Sequence, residues 1–305
     1  MKITEVQARY AEGLDPSGLI REIWAKIEAW ADPALFIHLP ELEELLALAR
    51  EVESLPRDLP LWGIPFVVKD NIDVAHWPTT AACPAFSYLP QRDAEVVRLL
   101  REAGAIPIGK ANLDQFATGL VGVRSPYGIA RNAIDPEFLP GGSSSGSASA
   151  VAAGLCCFSL GTDTAGSGRV PAAFQGLVGW KPTKGLLSTT GVVPACRSLD
   201  CVSVFTRNVA DALKVAEVVS AYDGSDPFSR TMEAAGKVAP SFRFGIPRSP
   251  DFAGDPDTPA LFQGAIERLE AIGGEAVEID LSPFLEAAKL LYDCLLYTSP
   301  SPRDS

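Results

Sequence analysis

LPGGSSSGSASAVAAGLCCFSLGTDTAGSGRVPA, residues 139–172, is the stretch on which the reading of the fold turns. Two Gly/Ser clusters, 141–146 and 161–168, are joined by an Ala-rich apolar segment. Glycine permits backbone shapes other residues resist and lets a substrate approach the main chain. Serine brings hydroxyls that act as nucleophile, proton carrier or hydrogen-bond partner. A flexible Gly/Ser linker is the plain alternative. Against it, Val151, Ala152, Ala153, Leu155, Cys156, Cys157 and Phe158 run through the middle. The segment is therefore expected to be buried and to bring both clusters to one pocket.

Upstream, residues 15–31 carry Leu19, Ile20, Ile23, Trp24, Ile27 and Trp30 near helical spacing, with Asp15 or Ser17 as cap. Residues 40–52 predict a second helix opened by Pro40. Residues 64–68 predict a short buried strand that ends on Lys69. Asp93 is expected to cap a helix closed by Gly104, with a strand at 105–108 and a short helix at 111–118. This helix–strand alternation is the pattern of an α/β sheet. Downstream, 206–220 predicts a helix beginning at Thr206, and 242–246 a strand. Then come a helix at 256–272, a strand at 276–281 and a helix at 284–292. No repeat or linker interrupts the pattern, so one domain is expected. Residues 294–305, with two Ser-Pro steps, cannot continue the last helix.

The 305 residues are 47% hydrophobic, ample for a large core, and carry a net charge of −12. That charge, with no Lys/Arg run to offset it, argues against nucleic acid as a partner. No apolar run approaches the roughly 18 residues of a membrane span, so no membrane partner is expected. None of the six cysteines forms a CxxC pair or lies near a histidine at ligand spacing, so no metal is expected. The cysteine pattern fits a reducing compartment, and the expected location is cytoplasmic. The sequence leaves a homodimer open.

Which nucleophile can this chain activate? A Ser-His-Asp triad needs a histidine, and His38 and His76 have no matching company and read as structural or surface residues. A P-loop needs a lysine that the 141–146 cluster lacks. Paired carboxylates are scattered. Serine plus lysine remains, because burial lowers a lysine's pKa until the neutral amine can take a serine's proton. Lys69 follows an apolar strand as that design requires, although a strand-end charge reaching solvent is the alternative.

Residues 139–172 resemble the signature of the amidase-signature hydrolases, with GGSSSGS at 141–147 and GTDTAGSGRVPA at 161–172. GIPFVVKDNIDV (63–74), AIPIGKANLDQFA (105–117) and GWKPTKG (179–185) extend the likeness. The resemblance implies a mixed central β-sheet covered by helices on both faces, within an amidase domain over residues 1–293 that is partial at its C-terminus. It implies a Ser-cisSer-Lys triad: Ser167 as nucleophile, Ser143 as bridge after a cis peptide bond, Lys69 as base. Ser143 and Ser167 are 24 positions apart, as in the family motif. A helix N-cap is the other reading of Ser143. Backbone amides of Thr164, Ala165, Gly166 and Ser167 would form the oxyanion hole, supported by Asp163 and Arg169. The substrate would be a small amide, with no cofactor.

AGSGRVPA, the loop at 113–128 and FLEAAKLLY (284–292) are similar to the allophanate hydrolases, which implies allophanate as substrate and ammonia as product. Another amidase of the family, such as a glutamyl-tRNA amidotransferase A subunit, is the alternative, and a silent binding domain a further one. Tyr292 matches a substrate-binding tyrosine of that subfamily, and Arg124 is a candidate contact for a substrate carboxylate or else a loop brace. The subfamily's substrate arginine falls at Pro300, so residues 294–305 are read as a non-matching tail.

Overall fold

The computed structural model describes residues 1–231 and 240–293, with the backbone alone for Tyr292 and Asp293. The chain divides into two compact units, Met1–Glu233 and Ala234–Ser305. In the first, the elements run α1 (Ile3–Ala11), α2 (Pro16–Trp30), β1 (Phe36–His38), α3 (Leu42–Glu53), β2 (Pro65–Lys69), α4 (Glu95–Glu102) and β3 (Ile106–Ala111). They continue with α5 (Ser145–Ala152), β4 (Phe158–Asp163), α6 (Val170–Phe174), β5 (Val178–Trp180), β6 (Cys201–Thr206) and α7 (Val209–Val219).

Six strands form one mixed sheet in the order β1-β3-β2-β4-β6-β5, flanked by helices. β2 pairs in parallel with both β3 and β4, and β6 runs antiparallel to β4. Every residue of β2, β3, β4 and β6 is buried, so these strands are continuous runs rather than alternating ones. Phe66 stacks on Phe158 across β2 and β4, with ring centroids 5.2 Å apart. The expected α/β architecture is the one observed. Because β2, β3 and β4 are parallel, their C-terminal ends open at one edge of the sheet, where open α/β sheets place their sites.

The decisive stretch is α5 between two strand-end loops. All of Ser145–Val151 is buried, which excludes a linker. The close approach has a specific cause at Gly146, where a Cβ would lie 2.6 Å from the Leu35 carbonyl oxygen and 2.7 Å from the Asn112 nitrogen. At Gly142 a Cβ would collide with the Asp114 carboxylate.

Several local expectations are corrected. Asp93 does not cap α4; its carboxylate accepts from the Ala75 amide at 2.7 Å and pairs with Arg101. Ala111 ends β3, and only Gln115–Ala117 turns, as a short 3₁₀ segment. Thr206 closes β6 instead of opening a helix, and Asn208 caps α7 by accepting from the Asp211 amide. The N-terminal α1 and the strands β1, β5 and β6 were not legible as elements. α1 buries Ile3, Val6 and Tyr10.

In the second unit, β7 (Phe242–Pro247) pairs in parallel with β8 (Gly274–Ile279) across the intervening α8 (Thr258–Ala271), and α9 (Ser282–Asp293) follows. The expectation for residues 294–305 lies outside the described residues. Among the described residues no helix is long and apolar enough to cross a membrane.

Candidate active site

Lys69 ends β2, and Thr162 and Asp163 end the adjacent β4. Ser143 lies just before α5, on the loop that this helix draws against β3 and β4. The lysine does not reach solvent: it is 0% exposed. Its Nζ lies 2.7 Å from Ser143 Oγ and 2.8 Å from Thr162 Oγ1. Thr162 Oγ1 also accepts from the Asn71 side-chain amide at 3.2 Å. Burial pushes the Lys69 ammonium down to about 7, against the opposing pull of Asp114, Asp163 and Asp200. A lysine with that value is half neutral at pH 7, so its amine can accept a proton.

The Gly142–Ser143 peptide is cis, and the Ser143 carbonyl accepts from the Asp114 amide at 3.0 Å. Ser143 does not cap α5; the cap position is Ser144, whose hydroxyl donates across to the Thr162 carbonyl at 3.2 Å.

Ser167 is 4% exposed. The Ser144 amide donates to its carbonyl at 3.4 Å, which brings the two Gly/Ser clusters together. Its own hydroxyl donates to the Gly119 carbonyl at 3.4 Å. Lys69 and Ser143 are thus in direct contact, whereas Ser167 has its backbone beside Ser144 and its hydroxyl turned to Gly119.

Asp163 organises the loop that carries Ser167. Its fully buried carboxylate accepts from the Gly166 amide at 2.8 Å, the Gly168 amide at 3.0 Å, and Arg169 Nε and a terminal guanidinium nitrogen at 2.9 and 3.0 Å. Burial alone would raise its pKa, but the Arg169 fork and the two amides hold it below the usual carboxylate value. Of the four amides expected to form an oxyanion hole, that of Gly166 donates to Asp163, while those of Thr164, Ala165 and Ser167 have no protein partner among the described residues.

Arg124 is exposed, and its guanidinium donates to the Thr118 carbonyl at 3.2 Å, which braces its own loop. Tyr292 falls on α9 in the second unit, and its side chain lies outside the described residues. His76 is exposed, and His38 packs against Trp77 with ring centroids 5.6 Å apart. Sequence reasoning missed Thr162, Asp114 and Asp200. Asp200 accepts from Thr164 Oγ1 and from the Ala195 and Cys196 amides. The one available signal for Thr162 was its place in the GTDT run beside Asp163.

A parallel-centred sheet with a buried lysine on a loop serine, beside a second glycine-rich serine loop, defines the class: the chain belongs to the amidase family, whose model, described as Amidase, matches residues 19–303. Among proteins of known sequence, it is 52% identical over 238 residues to a urea amidolyase of Saccharomyces cerevisiae, covering 77% of this chain and 13% of that protein. It is 43% identical over 241 residues to the glutamyl-tRNA(Gln) amidotransferase A subunit of Akkermansia muciniphila, covering 76% of this chain and 51% of that protein. The structure of allophanate hydrolase from Kluyveromyces lactis superposes with a TM-score of 0.90 at 42% identity, covering 96% of this chain and 49% of that one. The chain thus spans about half or less of the length of these relatives.

Proposed function

We propose that this chain carries the amide-hydrolysing site of an allophanate hydrolase, with Ser167 as nucleophile, Ser143 as bridge and Lys69 as base. The observation that carries this reading is the 2.7 Å contact between a fully buried lysine amine and the Ser143 hydroxyl. In the proposed cycle Ser167 rotates about its Cα–Cβ bond from the Gly119 carbonyl toward Ser143. Neutral Lys69 takes the Ser143 proton as Ser143 takes that of Ser167, and Ser167 Oγ bonds to the substrate's amide carbon. The oxyanion is met by amides of Thr164, Ala165 and Ser167, held in place by the Asp163–Arg169 clamp on the same loop. The proton returns through Ser143 to the leaving nitrogen, the C–N bond breaks, and ammonia departs. Water then attacks the acyl-Ser167 ester, passing its proton to the same relay, and restores the serine.

The urea amidolyase and allophanate hydrolase likenesses support allophanate as the amide. The likeness to an amidotransferase A subunit favours glutamine as the second reading. Ammonia release from allophanate, glutamine and acetamide separates the two, with Ser167→Ala as control. The proposal expects allophanate to be turned over fastest and the control to be silent. Turnover of glutamine with none of allophanate would overturn it in favour of the second reading.

A further inference from the structure

One buried carboxylate touches both the Ser143 loop and the loop that holds the Ser167 hydroxyl, and the chemistry above makes no use of it. Asp114 lies shortly after β3 and is 0% exposed. Its Oδ1 accepts from the Arg124 amide at 2.7 Å and its Oδ2 from the Gly122 amide at 3.0 Å. Among the described residues no cation pairs with it, since the Arg124 guanidinium turns to the Thr118 carbonyl. Its backbone amide donates to the Ser143 carbonyl at 3.0 Å. Two glycines make room for the carboxylate: a Cβ at Gly119 would lie 2.6 Å from its Oδ2, and one at Gly142 would collide with the same atom. The loop from Gly119 to Arg124 is thus laid on the Ser143 turn, and the Leu120 carbonyl completes the join by accepting from the Gly142 amide at 2.9 Å. From that loop the Gly119 carbonyl accepts the Ser167 hydroxyl. Two amides converge on one side chain, so both of its oxygens have to accept. An asparagine offers one oxygen, and its NH2 would confront the other amide. The charge follows from that need and opposes the neutral amine, because Asp114, with Asp163 and Asp200, favours the charged form of Lys69.

We propose that Asp114 is a positioning residue of the reaction: it docks the 119–124 loop onto the Ser143 turn, and through that join sets where the Ser143 and Ser167 hydroxyls stand relative to each other. This rests on the reading of Ser143 and Ser167 as members of one relay. Geometry and charge then have opposite effects. Losing the join misplaces the hydroxyls and slows the attack of Ser167. Losing the charge removes one of three carboxylates that favour the Lys69 ammonium, so more of the amine is neutral at a given pH. General loosening of the fold gives the reverse shift, because water admitted to Lys69 raises its midpoint toward that of an exposed lysine.

The test combines the rate at which a fluorophosphonate labels Ser167 with NMR titration of Lys69 in protein labelled at lysine Cε, Lys69→Met identifying the resonance. Asp114→Asn should slow labelling about tenfold or more at pH 8, where most of the Lys69 amine is neutral in both proteins. In the same variant the Lys69 midpoint should fall by about half a pH unit. Gly119→Ala keeps the charge and pushes a methyl against the carboxylate, so it should slow labelling with the midpoint unmoved. Labelling of Asp114→Asn at the wild-type rate, or a Lys69 midpoint that does not fall there, would overturn the proposal. Should Asp114→Asn fail to fold, Gly119→Ala decides alone, and labelling of that variant at the wild-type rate would overturn it. If labelling of the wild-type protein ignores the Lys69 midpoint, the base assignment of Lys69 fails, while the variant rates still decide the role of Asp114.

Discussion

Replacing Lys69 by methionine should make the protein more stable at neutral pH while removing its reactivity. An ordinary lysine titrates near 10.5, and burial brings this one to about 7. At pH 7 the unfolded chain gains a proton that the folded chain only half holds, which disfavours folding by about 4 kcal/mol. The substitution relieves that term and forfeits the two hydrogen bonds to Ser143 and Thr162, about 1 kcal/mol each. The net expectation is a gain of about 2 kcal/mol at pH 7. The sign follows from proton uptake: between the folded value and 10.5 the unfolded state binds more protons, so wild-type stability climbs with pH. The advantage of the variant should therefore shrink above pH 7 and reverse near about pH 9. Urea unfolding of both proteins at several pH values measures this, with midpoints compared at unchanged slope. A variant less stable than wild type at pH 7, or a difference independent of pH, would refute the reasoning.

Asp163→Asn should cost about 3 kcal/mol at pH 7, because the new amide nitrogen confronts a buried glycine N–H that the carboxylate now accepts. Since the folded carboxyl has the lower pKa, this contribution is present above about pH 4 and fades as pH falls through the folded value, so unfolding curves of the two proteins should converge in acid. Gly146→Ala should destabilise by about 2 kcal/mol or more despite alanine's better helix propensity, because both atoms its Cβ meets are backbone and cannot step aside. Thermal unfolding checks that, and a neutral result would mean that α5 can shift.

How much of this was readable beforehand follows from where the information sits. Lys69 stood out as a lysine straight after an apolar strand, whereas Ser143, Ser167, Asp163 and Arg169 were singled out only by the resemblance of 139–172 to the amidase signature; the structure puts Lys69 on Ser143 and Arg169 on Asp163. The Lys69–Thr162 contact was not legible, since a threonine at a strand end looks like any β-former until the neighbouring strand is in place. The engagement of the Gly166 amide by Asp163 is a matter of loop geometry, three residues apart in sequence but decided by backbone angles. Among the elements, Asp93 and Thr206 misled because both are good cap residues whose side chains have other partners: Asp93 turns to Ala75 and Arg101, and the Thr206 hydroxyl donates to the Asn208 carbonyl. Strand β6 was missed because CVSVFT, buried along its whole length, shows no alternation.

The central claim is that an uncharged Lys69 amine, through Ser143, activates Ser167. Its most direct measurement is the second-order rate at which a fluorophosphonate modifies Ser167 between pH 6 and pH 8. With the lysine titrating at about 7, the neutral fraction and hence the rate should rise about tenfold over that interval, and Lys69→Met should be nearly inert throughout. A rate that stays level from pH 6 to 8, or a Lys69→Met protein modified as fast as wild type, would contradict the account.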